Sequence, residues 1–151
     1  MDLNPASTPN PSPEADFCAG TSGQVSEVER APVNVLIVDD EVILAKILQM
    51  SLERDRRFVA DVAFCGREAL RMLESNRYNL VISDVRMAEG NGLELFAWIQ
   101  RHQPQLAKRF LFITGDIANL KISDPNTPVL RKPFKIDDLT SRCAQIISAA
   151  A

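Results

Sequence analysis

The sequence predicts an α/β domain in which a five-stranded parallel sheet is covered by helices on both faces, a doubly wound arrangement. Two observations support this prediction. Five short runs rich in Val, Ile, Leu and Phe alternate with segments whose apolar residues recur every three or four positions. Four of the five runs are nearly continuous or strongly alternating in Val, Ile, Leu and Phe, and near-continuous apolar runs are typical of strands buried on both faces.

Each strand is predicted from its own apolar run. The five runs are VNVLIV (33–38), FVADVAF (58–64), NLVIS (79–83), RFLFIT (109–114) and PVL (128–130). Helical spacing between and after the runs gives four apolar helix faces. The faces consist of Leu44, Ile47, Leu48 and Leu52, then Ala69, Leu70 and Leu73, then Leu93, Phe96 and Ala97, and finally Ile136, Leu139, Cys143, Ile146 and Ile147. Only 13 residues separate the fourth strand from the fifth, so the fourth helix, which belongs there, is predicted to be shortened.

The first 31 residues differ in composition from the remainder of the chain. They contain four prolines, many Ser, Thr and Asn residues, few large apolar side chains and a net charge of −4. Such a segment buries too little apolar surface to offset the entropy lost on ordering. We therefore predict a flexible, acidic, Pro/Ser-rich tail at 1–31 and a single domain at 32–151.

Composition and motifs disfavour several classes of function. No apolar run approaches the roughly 18 to 20 residues of a membrane span, and no secretory signal is visible, so we expect a cytoplasmic protein. Three cysteines without a CxxC motif and a single histidine argue against disulfide and zinc frameworks. The domain has a net charge of +1 and no DNA-binding module, so we expect no nucleic acid partner. The lack of a nucleotide-binding glycine loop argues against kinase or dehydrogenase chemistry.

Polar residues follow four of the predicted strands, at the edge where ligands bind in open α/β sheets. They are Asp39, Asp40 and Glu41 after the first strand, Asp84 after the third, Thr114 after the fourth and Lys132 after the fifth. Carboxylates that share a site repel one another, and a hard divalent cation such as Mg²⁺ would neutralise them. Asp84 would then act as a nucleophile beside Mg²⁺ held by Asp40. Thr114 and Lys132 would bind the transferred oxygens.

Four sequence strings resemble the receiver domain of two-component response regulators. They are LIVDDE (36–41), VISDVRM (81–87) with Gly92 eight residues after Asp84, FITGD (112–116) and RKPF (131–134). The intervals are also usual for that family, because Asp84 lies 44 positions after Asp40 and Thr114 lies 30 positions after Asp84. The resemblance covers residues 33 to 148. It implies a flavodoxin-like fold with strand order 2-1-3-4-5.

The resemblance also implies a function in phosphorelay signalling. Asp84 would accept a phosphoryl group from a phosphohistidine, carried by a histidine kinase or a histidine phosphotransfer protein. Lys132 would pair with that group, the hydroxyl of Thr114 would move to meet it, and a cis peptide would precede Pro133. The domain would be a phosphoacceptor with Mg²⁺-dependent self-phosphorylation and autodephosphorylation chemistry, and not an enzyme in the ordinary sense.

The metal ligands are likewise implied by the resemblance. Asp40 and Asp84 would bind Mg²⁺ directly, and Asp39 would act mostly through water. The backbone carbonyl of Arg86 would complete the set of protein ligands.

The chain departs from the family pattern at three places. Ala88 replaces the usual proline four residues after Asp84, and Val129 replaces the aromatic switch residue three positions before the lysine. Lys132 lies only 18 positions after Thr114, about four fewer than usual in that family. This shortened segment is similar to receivers attached to, or working beside, hybrid histidine kinases.

Three hypotheses of function remain open from the sequence. The first is a single-domain response regulator that is phosphorylated and signals to an unknown target through protein contacts. The second is a pseudo-receiver that acts only as a binding module, which the substitution by Val129 favours. The third is a Mg²⁺-dependent phosphohydrolase with an aspartyl nucleophile, but Arg86 occupies the position where such enzymes usually carry an acidic residue.

Overall fold

The computed structural model describes residues 31–122 and 124–150. Within these residues, five strands form one parallel sheet in the order β2-β1-β3-β4-β5. The strands are β1 (Val33–Val38), β2 (Phe58–Ala63), β3 (Leu80–Asp84), β4 (Phe110–Thr114) and β5 (Val129–Arg131). The predicted fold and strand order are confirmed, and each apolar run matches its strand to within one residue at either end.

Five helices are present in the described residues, and three of them begin at residues whose chemistry suits a helix start. The five helices are α1 (Val42–Glu53), α2 (Gly66–Ser75), α3 (Gly92–His102), α4 (Pro104–Ala107) and α5 (Ile136–Ala150). Asn91 caps α3 through a reciprocal capping box with Glu94, which satisfies backbone N–H groups that have no partner within the helix. Cys65 has the same role in α2, where its sulfur accepts a hydrogen bond from the Glu68 backbone N–H at 3.4 Å. Pro104 suits the first turn of α4, because its missing N–H is not needed there.

The core consists of two apolar layers, one on each face of the sheet. Alternate residues of β1 point to opposite layers, with Val35 and Ile37 in the first layer and Leu36 and Val38 in the second. Helices α1 and α5 cover the first layer, while α2, α3 and α4 cover the second. Because β1, β3 and β4 are covered on both faces, their side chains are almost fully buried.

The connection between β4 and β5 contains little helix. Among its described residues, 115–122 and 124–128, only the 3₁₀ turn Ile117–Asn119 is helical. This confirms the prediction of a shortened fourth helix. The 13 residues available must also accommodate a turn at Asp124, where the Thr127 backbone N–H donates to the Asp124 carbonyl.

The predicted tail at 1–31 lies outside the described residues, except for Ala31, and remains a prediction. No helix in the described part of the chain is long and apolar enough to cross a membrane.

Candidate functional site

The candidate site lies where the strand order reverses, between the carboxyl ends of β1 and β3. Asp39 follows β1, and its backbone N–H continues the ladder by donating to the Ala63 carbonyl at 3.1 Å. Asp84 is the last residue of β3. Both aspartates are buried, with 1% and 9% of their surface exposed. Two buried carboxylates therefore lie next to each other at the carboxyl ends of the two central strands.

Lys132 brings a positive charge to these carboxylates. Its backbone N–H donates to the Thr114 carbonyl at 2.8 Å, just beyond β5, and the Lys132–Pro133 peptide bond is cis, as expected from the sequence. Its ammonium donates to Asp84 Oδ2 at 3.0 Å and lies 3.5 Å from Glu41 Oε1 and 3.7 Å from Asp39 Oδ2. Burial opposes the charged form of Lys132, but the hydrogen bond to Asp84 and the charges of the three carboxylates outweigh burial and raise its pKa.

Three carboxylates in this site present their oxygens to one another within 4.8 Å, namely those of Asp39, Glu41 and Asp84. One ammonium leaves two of their three negative charges uncompensated within the cluster. Asp39 Oδ2 is buried and receives no hydrogen bond from the described residues. Burial also raises the pKa of Asp39, although the backbone N–H of Glu41 and the charge of Lys132 oppose that shift. Excess negative charge and an oxygen without a hydrogen bond fit a hard divalent cation such as Mg²⁺, which prefers oxygen ligands.

Asp40, which the sequence predicts as a direct metal ligand, has a different partner. Its Oδ2 accepts a hydrogen bond from the Ala88 backbone N–H at 2.8 Å, which links the end of β1 to the loop after β3. Glu41, to which the sequence analysis gives no metal role, joins the carboxylate cluster instead. The ligand set predicted from Asp40 and the Arg86 carbonyl thus remains a prediction, with Glu41 as an additional candidate.

Thr114 and Arg86 complete the site from the neighbouring loops. Thr114 is 4% exposed, and its hydroxyl oxygen accepts a hydrogen bond from the Asp116 backbone N–H at 3.0 Å. The Arg86 backbone N–H donates to Asp84 Oδ1 at 3.4 Å. The Arg86 guanidinium reaches across the site to Asp116, with 3.3 Å between Nη2 and Oδ2. This ion pair is a feature that the sequence analysis missed, because it joins residues 30 positions apart.

Replacing Asp39 with asparagine is expected to stabilise the protein when divalent cations are absent. The variant removes a buried charge and keeps an acceptor for the Glu41 backbone N–H, which donates to Asp39 Oδ1 at 2.9 Å. Because burial disfavours the ionised carboxylate and its Oδ2 has no hydrogen bond among the described residues, we expect a gain of roughly 1 kcal/mol. Thermal melting in EDTA at pH 7 measures it, with Glu41→Gln as an exposed control that should change stability less.

The pH dependence of that gain has a definite sign. A carboxyl whose pKa is higher in the folded state than its ordinary value of 3.8 destabilises the fold most when it is ionised. The advantage of Asp39→Asn should therefore be full above the raised pKa and fade as the pH falls through that pKa towards 3.8. Mg²⁺ at about 100 times its dissociation constant should stabilise the wild type by roughly 2.7 kcal/mol, and the variant by less at the same concentration. A variant that is less stable in EDTA, or equally stabilised by Mg²⁺, would contradict this account.

Comparison with protein families gives an independent view of the chain. A family model described as the response regulator receiver domain matches residues 35–144. Among curated proteins, the chain is 41% identical over 88 residues to the transcriptional regulatory protein GlrR of Escherichia coli, an alignment that covers 58% of this chain and 20% of that protein. It is 32% identical over 112 residues to the transcriptional regulatory protein CrdR of Helicobacter pylori, covering 72% of this chain and 52% of CrdR. The chain thus spans between a fifth and about half of the length of these relatives.

Solved structures resemble the fold over most of the chain. The signal receiver domain of an HD domain-containing protein from Pseudomonas fluorescens has a TM-score of 0.72 and 25% identity, with 80% of this chain and 98% of that domain covered. The response regulator protein TrrA from Thermotoga maritima, solved in complex with Mg²⁺ and BeF, has a TM-score of 0.65 and 25% identity. That comparison covers 76% of this chain and 98% of TrrA.

Proposed function

Because this chain belongs to the response regulator receiver domain family, we propose that it accepts a phosphoryl group on Asp84 and signals through protein contacts. The observation that carries the proposal is the position of Asp84. Asp84 is the last residue of the central strand β3. Its carboxylate accepts a hydrogen bond from the Lys132 ammonium at 3.0 Å and has an oxygen within 4.8 Å of oxygens of two further carboxylates. The donor would be a phosphohistidine on a histidine kinase or a histidine phosphotransfer protein.

In the proposed reaction, the phosphoryl group moves from a histidine nitrogen of the donor protein to a carboxylate oxygen of Asp84. A carboxylate oxygen of Asp84 attacks phosphorus, the bond from phosphorus to the donor imidazole nitrogen breaks, and the imidazole leaves with its electron pair. Lys132 lies where its ammonium would compensate the charge of the phosphoryl oxygens, and the Thr114 hydroxyl would donate to one of them after turning towards Asp84. Bound Mg²⁺ would supply further charge compensation for these oxygens, held by carboxylates of the cluster and, as predicted, by Asp40 and the Arg86 carbonyl.

Helix α1 carries an apolar surface that supports contact with a protein partner. Four of the six large hydrophobic side chains that are exposed among the described residues lie on this helix. They are Val42, Ile43, Ile47 and Met50, and Ile43 is the most exposed at 77%. The helix begins one residue after Glu41, so a partner bound there would lie beside the carboxylate cluster. An exposed apolar patch next to a reactive site is typical of a surface used in association.

We limit the proposed function to the part of the relatives with which this chain aligns. The relatives GlrR and CrdR are named as transcriptional regulatory proteins, and the chain aligns with only part of each. We therefore propose the phosphoacceptor reaction and signalling by the receiver domain itself, with the cytoplasm as the expected location.

Intact mass after incubation with acetyl phosphate and Mg²⁺ tests this function. We expect a single phosphoryl adduct on the full chain, and none when EDTA replaces Mg²⁺. The second arm uses a phosphorylated histidine phosphotransfer protein as donor. A folded protein that gains no adduct from either donor would contradict the proposal and favour a module that binds its partners without phosphoryl transfer.

A further inference from the structure

The ion pair between Arg86 and Asp116 connects the two loops that flank the phosphoacceptor. Arg86 lies two residues after Asp84, and Asp116 lies two residues after Thr114. The same Asp116 that binds the guanidinium also donates its backbone N–H to the Thr114 hydroxyl oxygen, at 3.0 Å. The arginine is therefore linked to the hydroxyl group through a single residue.

This ion pair is weakly held in the structure as it stands. The Arg86 side chain is 78% exposed, that of Asp116 is 38% exposed, and the N to O distance is 3.3 Å. Exposed pairs of this kind contribute little to stability, because water competes with each partner. A stronger anion close to Arg86 would separate them.

A phosphoryl group on Asp84 would be such an anion. It carries close to two negative charges at neutral pH, and its three oxygens match the geometry of a guanidinium. The Arg86 backbone N–H already contacts the Asp84 carboxylate at 3.4 Å, so the arginine needs only to change its side-chain conformation to reach the group. The same charge would repel the Asp116 carboxylate. Attraction of one partner and repulsion of the other both act to open the ion pair.

We propose that the Arg86 side chain leaves Asp116 and binds the phosphoryl group when Asp84 is modified, and that loss of this ion pair shifts Asp116 and, with it, the Thr114 hydroxyl that its backbone N–H contacts. The inference rests on the proposed phosphorylation of Asp84 and assigns the arginine side chain a role in binding. Asp116 acts as a positioning residue, because it touches Thr114 and not the phosphoryl group.

The exchange would also transmit the modification of Asp84 to the surface of the protein. Val129 is apolar and lacks the aromatic ring that the resemblance leads one to expect at this position. Asp116 instead leads directly into the 3₁₀ turn Ile117–Asn119, and Ile117 is exposed. Movement of Asp116 would therefore change a surface segment without any ring rotation.

The test is a titration of the ¹⁵N-labelled full chain with beryllofluoride, a phosphoryl mimic, in saturating Mg²⁺. Four proteins are compared: wild type, Arg86→Ala, Asp116→Asn and the double variant. We expect Arg86→Ala to weaken beryllofluoride binding by about fivefold. The loss is this small because the contact between the guanidinium and beryllofluoride would be partly exposed to water. Asp116→Asn should tighten binding in the wild type and have a smaller effect when Arg86 is absent, because the competition for the guanidinium is then already gone. In the absence of beryllofluoride, the amide resonances of Thr114 and Asp116 should also shift in Arg86→Ala.

The control is Arg71→Ala, which removes an exposed arginine of α2 and changes the net charge by the same amount. It should bind beryllofluoride as the wild type does. Equal affinity of Arg86→Ala and wild type, or an Asp116→Asn effect of the same size in both backgrounds, would overturn the exchange while leaving the proposed function standing. A wild type that fails to bind beryllofluoride would instead remove the proposed function.

Discussion

Asp84→Asn is expected to abolish the phosphoryl adduct formed with acetyl phosphate and Mg²⁺, and to leave the fold intact. Asparagine has nearly the same shape as aspartate, but its amide cannot form an acyl phosphate. Turned towards Lys132, its carbonyl oxygen can still accept the hydrogen bond that the ammonium donates to Asp84 Oδ2 in the wild type. Lys132 keeps its contacts with Asp39 and Glu41, so its charge stays compensated. Intact mass measures the adduct, and far-UV circular dichroism with thermal melting measures the fold.

The matched control is Asp138→Asn, which changes an exposed aspartate in the first turn of α5. It should be modified to the same extent as the wild type, because Asp138 lies outside the carboxylate cluster. An adduct that persists in Asp84→Asn would place the phosphoacceptor at another residue. Loss of the adduct in both variants would point to an effect of charge or stability and not of chemistry.

The fold was predictable because its three inner strands, β1, β3 and β4, are short, apolar and covered on both faces. β1 is buried from Val35 to Val38, so its apolar run ends where the buried strand ends. This fixes the polar residues that follow the strand and places them at one edge of the sheet. The same reasoning places Asp84, Thr114 and Lys132 at that edge from the ends of their apolar runs, whereas the strand order is implied by the family resemblance.

The prediction for α1 was wrong at Ile47, which is 45% exposed. Periodicity predicts that Ile47 is buried together with Leu48 and Leu52. In the structure, Ala45 is the residue that is buried beside these two leucines. The helix is apolar around much of its circumference, because Ile43 and Met50 are apolar as well. Two neighbouring apolar stripes then satisfy the same spacing, and only packing against the sheet decides which of them is buried.

The details of the site were less predictable than its position. Asp39 continues the strand, so its side chain follows the alternation of β1 and faces the same side as Val35 and Ile37. Asp40 and Glu41 lie in the loop that follows, where no period relates position to direction. Which of these two carboxylates joins the cluster therefore depends on tertiary contacts, such as the hydrogen bond from the Ala88 backbone N–H.

Gly92→Ala is expected to destabilise the domain by about 2 to 3 kcal/mol and to reduce phosphorylation of the protein that remains folded. Gly92 is the first residue of α3, and a Cβ atom there would lie 2.3 Å from the Asp84 carbonyl oxygen and 2.9 Å from Ser83 Oγ. The carbonyl belongs to the backbone of a buried strand, so it cannot move without displacing the end of β3. Because Asp84 is that end, the methyl group affects both stability and the position of the phosphoacceptor. Thermal melting and intact mass measure the two effects.

Gly66→Ala is the matched control, since Gly66 is the first residue of α2 and also follows an N-cap. A Cβ atom there would have the Glu89 carbonyl oxygen as its nearest neighbour, at an ordinary contact distance of 3.7 Å. This variant should be neutral or more stable by about 0.4 to 1 kcal/mol, because alanine reduces the freedom of the unfolded chain. If both variants lose the same stability, the loss reflects a general cost of a side chain at the first residue of a helix. A loss confined to Gly92→Ala means that the close approach of α3 to the Asp84 backbone holds the phosphoacceptor in place.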